Sequence, residues 1–237
     1  MKNLYEDLIA SVKLDKTSVV RDVRAGITWT GVSASRVGLS LTYSSILDNI
    51  EEGGSLKGKP VYELLEYLKT FNLVKLSIGL AALNSVIEPS DELETFNVIN
   101  YIEEKSIGKK VVFVGHFCGL EKVRQNSREL TILERNPKEG DVIDTAAYYL
   151  IPEADIVAIT GSTFANKSIE NILSLCKGQT IVFGPSTPLS TVLFDYGVDI
   201  IGGSIVVDEE KVLSAISEGG HLSNFKKYLK YVVMRRK

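Results

Sequence analysis

His116 and Cys118 stand one residue apart in the turn Gly115-His116-Phe117-Cys118-Gly119, directly after an apolar run at residues 111–114. An imidazole and a thiol placed so closely allow three chemistries. They could share a soft metal, but such sites usually take three or four ligands, so a carboxylate such as Glu121 or Glu134 would have to complete the set. Alternatively, Cys118 could act as a thiolate nucleophile, its pKa lowered by His116 and a following helix start. The third reading, and the one expected of most such turns, is the wall of a pocket with neither chemistry. The chain has two histidines and two cysteines in all. Cys176 falls on an apolar helical stripe and reads as core, while His221 follows Gly219-Gly220 and reads as a surface loop.

Other motifs narrow the field. Gly115 and Gly119 make G-x-x-x-G, which lacks the middle glycine of the dinucleotide fingerprint and the Gly-Lys-Ser/Thr of a P-loop. Glu134 lies nineteen residues after Gly115, where a ribose-binding acid would stand, although a solvated or capping carboxylate is also expected there. Neither histidine has an evident carboxylate orienter and no G-x-S-x-G elbow occurs, so the sequence gives no indication of hydrolase chemistry.

The elements that would position these residues follow from periodicity. Leu4, Leu8, Ile9 and Val12 mark an N-terminal helix in which Glu6 and Asp7 interrupt any secretory apolar core. Short β-prone runs with turns at Ala25-Gly26 and Ser33-Ala34-Ser35 predict a small antiparallel meander. Val61, Leu64, Leu65 and Leu68 form a helical stripe, and the run from Leu73 to Leu83 is apolar almost all round. Residues 88–92, "EPSDE", are the expected boundary between units. Beyond it, strand candidates at 111–114, 129–133, 156–160, 180–183 and 199–201 alternate with helical patterns, which predicts βαβ units and a mainly parallel sheet. Ile169, Ile172, Leu173 and Cys176 predict a helix that Gly178 ends; Ser186 or Thr187 reads as the N-cap of another, with Pro188 at its first position and Gly197 at its stop; Asp208 reads as a third cap.

Such a sheet binds ligands beyond the carboxyl ends of its strands. The segments "GHFCG", "ERNP", "TGSTFAN" and "GPSTP" each follow a strand candidate and should converge there, with glycines allowing close approach and hydroxyl groups meeting an anion. The last is the sharpest, and it places Gly184, Pro185, Ser186 and Thr187 in the expected site.

Bulk composition bounds the classes. The chain has 237 residues, 44% hydrophobic and 24% charged, with a net charge of -3, so no global positive charge draws a polyanion. The tail "KKYLKYVVMRRK" is locally basic and reads as a solvated chain end. No apolar stretch reaches the roughly 18 residues of a membrane span, and two cysteines without an export signal make the cytoplasm the expected compartment.

The stretches "VVFVGHFCG", "IPEADIVAITGSTFANKSIENIL" and "VFGPSTPLSTVLFDYGVDIIGGSIVVDEEKVLSAISEGG", with "AGITWTGVS" and "GLAALNSV" upstream, resemble the heavy-metal chelation domain family and its preceding enolase N-terminal-like domain. The resemblance spans nearly the whole chain. It implies an α+β unit at residues 1–90, a Rossmann-like domain at 91–237 and a ligand site at their junction. Its motif positions fall on Gly115-His116-Phe117, on Thr160-Gly161-Ser162-Thr163 with Asn166, on Gly184-Pro185-Ser186 and on Gly202-Gly203. The family often has proline where this chain has Cys118, so a metal site on that thiol would be peculiar to this protein.

The expectation is a protein that binds a small anionic, metal-chelating ligand between two domains, with Gly115, Gly161, Gly184 and Ser186 giving close approach and His116, Glu134 and Asn166 giving polar specificity. Catalysis is unassigned, and the cofactor, whether a metal ion or a nucleotide-like ligand, is left open. One rival is a transferase or lyase with a nucleotide-containing cofactor; another is a metal-sequestering module on His116 and Cys118. The expected partners are a small-molecule or metal ligand, with a homo-oligomer left open and neither nucleic acid nor membrane.

Overall fold

The computed structural model describes residues 3–15, 17–43, 49–89 and 92–237. Helix α1 (Leu4–Ser11) starts where the Asn3 side chain accepts from the amides of Tyr5 and Glu6. The predicted meander is β1 (Asp22–Ala25), β2 (Trp29–Ser33) and β3 (Val37–Leu41), an antiparallel sheet in that order. Helix α2 (Val61–Leu65) runs into a 3-10 turn, and α3 (Leu73–Val86) is capped by Asn72. Buried residues lie all round α3, as its uniform hydrophobicity predicts. Gly38 lets β3 press against it: a Cβ there would stand 2.2 Å from the Ala81 carbonyl and the Ser85 amide.

The second part alternates as expected. Helix α4 (Val98–Lys105) leads to β4 (Lys110–Val114), followed by α5 (Glu121–Asn126), β5 (Glu129–Glu134), β6 (Val142–Ile143), α6 (Ala147–Leu150) and β7 (Ile156–Thr160). Then come α7 (Ile169–Leu175), β8 (Gln179–Phe183), α8 (Val192–Asp195), β9 (Ile200–Val206), α9 (Glu209–Ser217), α10 (Leu222–Phe225) and β10 (Leu229–Arg235). The sheet has seven strands in the order β10-β9-β8-β7-β4-β5-β6, parallel except where β10 meets β9. The fold is mixed α/β. The chain starts the sheet at its centre, runs outward to β6 and returns to the other side of β4, so strand order reverses between β4 and β7.

Four expectations need correction. The basic tail is not a solvated end: β10 forms the sheet edge and buries Val232, Val233 and Met234. Ser186 and Thr187 cap no helix, because α8 begins at Val192 and both residues are buried in an irregular segment. Gly178 does not terminate α7, which ends at Leu175; it lets the chain pass the Ala154 carbonyl, 2.4 Å from where its Cβ would be. The strand expected at 199–201 extends to Val206. Asp208 does cap α9, accepting from the Lys211 amide, and Gly197 leaves α8 with φ +87. Within the expected boundary at 88–92, residues 90 and 91 lie outside the described residues. Among the described residues no helix is long and apolar enough to cross a membrane.

The two sheets share their cores. One cluster joins Leu8, Leu64 and Leu80 to Ile159, Leu189 and Val232, and another sets Trp29 of β2 edge-on to Phe225 of α10, centroids 5.8 Å apart. Gly38→Ala must push backbone against backbone, so it should lower stability by about 3 kcal/mol in urea unfolding; an unchanged midpoint would contradict the close packing of β3 on α3.

Candidate functional site

At the reversal of strand order the segments after β4 and β7 part company. Gly115 turns the chain at φ +98, and a Cβ there would stand 2.6 Å from Cγ2 of Thr160, so only glycine keeps these two strand ends together. Beyond them lies a cavity of about 660 Å³. Its wall takes Gly115, His116, Phe117 and Cys118 from the first turn and Glu134 from the second. The third turn adds Thr160, Gly161, Ser162, Thr163 and Asn166, and the fourth adds Gly184, Pro185 and Ser186. The small sheet adds Trp29 and Leu41 to the lining, and Tyr43 joins them just beyond β3.

Three expected residues stand elsewhere. Thr187 is 3% exposed and packs behind Gly161, whose Cβ would lie 2.3 Å from the Thr187 hydroxyl oxygen. Gly202 and Gly203 line a separate groove of about 500 Å³ with Phe96, Val98 and Tyr231. Gly202 faces Phe183 and Gly203 faces Leu189, so each makes room for a core side chain.

Several polar groups that look free in sequence are committed. The Ser186 hydroxyl accepts from the Leu41 amide at 2.8 Å, and Asn84 donates to the carbonyls of both Ser186 and Leu39, tying the fourth turn to β3. Thr163 donates to the Thr160 carbonyl, and Asn166 accepts from the amide and hydroxyl of Ser168. Between them Lys167 adopts φ +61, with its ammonium over the rings of Tyr5 and Phe71 and its pKa lowered by burial. Glu134 accepts from the amides of His116 and Arg135.

Sequence reasoning missed several participants. His116 does have a carboxylate orienter: Asp141 Oδ2 lies 3.3 Å from its Nδ1 and also accepts from the Lys138 amide. Arg135 sits above the Tyr43 ring with Nε 3.5 Å from Asp144, and Tyr148 accepts from Asn171 at the rim. Arg135 lay inside an expected segment but carried no local signal.

Residues 97–235 match a family model described as "Putative heavy-metal chelation", and residues 5–87 match a second model of the same description. The chain belongs to the DUF364 family. An uncharacterized protein of Methanocaldococcus jannaschii is 26% identical over 165 residues, 65% of this chain and 64% of that relative's length. Two solved DUF364 structures of unknown function each cover 98% of both chains at a TM-score of 0.84: one from Desulfitobacterium hafniense at 24% identity, the other from Pyrococcus horikoshii at 19%. At these identities the likeness is one of fold.

Among the described residues no group of three or more His, Cys, Asp or Glu side chains is arranged to hold a metal ion. His116 and Cys118 offer two donors, fewer than a tight soft-metal site needs. Among the described residues, the side chains of this DUF364 member therefore do not fit a bare-ion chelation site.

Cys176 donates to the Ile172 carbonyl, and burial pushes its thiol up to about 11, whereas Cys118 is exposed. Iodoacetamide at pH 8 should therefore alkylate Cys118 and spare Cys176 in the native protein, as peptide mass spectrometry would read. Ser186→Ala leaves the Leu41 amide without its acceptor and should cost about 1–3 kcal/mol in denaturant unfolding; no loss would remove this hydroxyl as the tie between β3 and the fourth turn.

Proposed function

We propose that the protein binds a small anionic organic ligand in the cavity beyond β4 and β7, between an enolase-N-terminal-like α+β unit at residues 1–90 and a Rossmann-like unit at 91–237, in the cytoplasm. The observation that carries this reading is the meeting of four post-strand turns around one cavity at the reversal of strand order, the usual ligand position in such sheets. Arg135 favours an anion. Its Nε faces Asp144 and its guanidinium lies over the Tyr43 ring, while its two Nη groups make no hydrogen bond among the described residues, leaving the fork that suits a carboxylate or phosphate. Ser162, Tyr148 and His116 also line the cavity and add hydrogen-bonding capacity. A ligand that carries its own donors, such as a chelating small acid, would reconcile this site with the family description without a protein ligand set.

A second reading, an enzyme with a nucleotide-containing cofactor, draws on Glu134. This residue ends the strand next to the reversal point, where a ribose-binding acid would stand, and its carboxylate retains accepting capacity beside its two amide bonds.

Thermal shift against citrate, inorganic phosphate, NAD and S-adenosylmethionine separates the two. A ligand at a hundred times its Kd stabilises the fold by ~2.7 kcal/mol. Under the first reading citrate or phosphate raises the melting temperature of wild type and Arg135→Ala abolishes the response; under the second the rise comes from NAD or S-adenosylmethionine and is lost in Glu134→Gln. No response to any of the four would count against both.

A further inference from the structure

We propose that the cavity is a site of acid–base chemistry, with His116 as a proton acceptor whose tautomer Asp141 fixes. The inference extends the ligand-binding reading, and it rests on how the histidine is held.

Asp141 is carried on the loop after β5 and its side chain is only 3% exposed. Its Oδ2 accepts from the Lys138 amide at 3.0 Å, which anchors the carboxylate independently of the histidine. The same oxygen lies 3.3 Å from Nδ1 of His116. An ionised carboxylate has no hydrogen to give, so Nδ1 must carry the proton, and a neutral ring then keeps its lone pair on Nε2. The main chain from which the ring projects is held as well: the His116 amide donates to Glu134 Oε2 at 3.0 Å. His116 lines the cavity and Asp141 does not, so the ring nitrogen turned away from Asp141 is the one offered to a ligand. Nε2 has no protein partner among the described residues. A carboxylate behind, an imidazole between and an open space in front is the arrangement by which a positioned base is oriented and its cationic form stabilised.

The class of ligand follows: an anion that Arg135 can hold and that carries a removable proton, on a hydroxyl or on a carbon beside a carbonyl. In the step itself the Nε2 lone pair forms a new N–H bond. The ligand's O–H or C–H bond breaks, its electron pair stays on the oxygen or passes into an enolate, and the imidazolium is stabilised by Asp141. The reverse transfer returns the proton, so no further reactant is required.

Diethyl pyrocarbonate tests the arrangement without knowledge of the ligand, because it acylates the unprotonated imidazole nitrogen. His221, exposed and held in the cap of α10, is an internal standard in the same molecule. At pH 8 the rate at His116, read by peptide mass spectrometry, should exceed that at His221, and Asp141→Asn should lower it by about tenfold while leaving His221 unchanged, since Asn can reverse the tautomer. Nitrogen-15 spectra of wild-type protein with labelled histidine provide a readout that needs no variant: His116 should show the Nδ1–H form. A spectrum with the proton on Nε2, or a His116 rate that does not respond to Asp141→Asn in a variant of unchanged melting temperature, would overturn the proposal. Both measurements are made without ligand, so they can fail while anion binding stands, and the reverse.

Discussion

Where β4 and β7 lie side by side, the chain must leave their ends in opposite directions, because one strand is followed by the path to β5 and the other by the path to β8. That divergence opens a crevice. It exists only because the two ends can touch at Gly115 and Thr160, where a methyl group on the glycine would meet Cγ2 at 2.6 Å. The left-handed turn at Gly115 then sends His116 toward the Glu134 carboxylate, and the amide bond it makes there sets the start of the first loop. The cavity and the placement of its first wall both descend from this one contact.

A crevice at a sheet edge is open to water unless something covers it, and the small antiparallel sheet does so. Its attachment is partly apolar, through the shared clusters around Leu80 and Trp29, and partly a set of directed bonds. From the sheet itself the Leu41 amide donates to Ser186, and beside it α1 adds two more, the Tyr5 hydroxyl donating to the Phe164 carbonyl and the Tyr196 hydroxyl to Asp7. The Leu41 bond acts on Ser186, a residue of the cavity wall, so the position of the small sheet and the shape of the cavity are mechanically linked. Burial pushes the Tyr5 phenol far above its ordinary range, which keeps its hydroxyl a donor throughout the working pH range.

Five of the six parallel strands were legible as short apolar, β-branched runs bounded by turn residues, while β6, two residues long, was not, and the four loops after the central strands could be placed together on topology alone. What escaped detection depends on tertiary contacts. The tail's lysines and arginines flank Val232, Val233 and Met234, and charge at both ends of an edge strand is how sheets protect that edge, yet in sequence it resembles a solvated terminus. Ser186-Thr187-Pro188 carries every mark of a helix start, but the Thr187 amide donates to Gly184 and the Ser186 hydroxyl is taken by Leu41, so the helix begins only at Val192. Asp141 is twenty-five residues from His116 and belongs to no motif; only the folding of the loop after β5 reveals it as the orienter.

The acidic residues near the cavity bear on the family description in a way that their number does not. Glu134 accepts from two amides, Asp141 from an amide and the His116 ring, and Asp144 lies against the Arg135 guanidinium. Each carboxylate is therefore engaged in positioning a neighbour, which leaves it fewer free lone pairs and a fixed orientation. Carboxylates spent in this way do a different task. They position the His116 imidazole and the Arg135 guanidinium beside one cavity, and a guanidinium fork has the geometry of a carboxylate or phosphate partner rather than of a metal ligand.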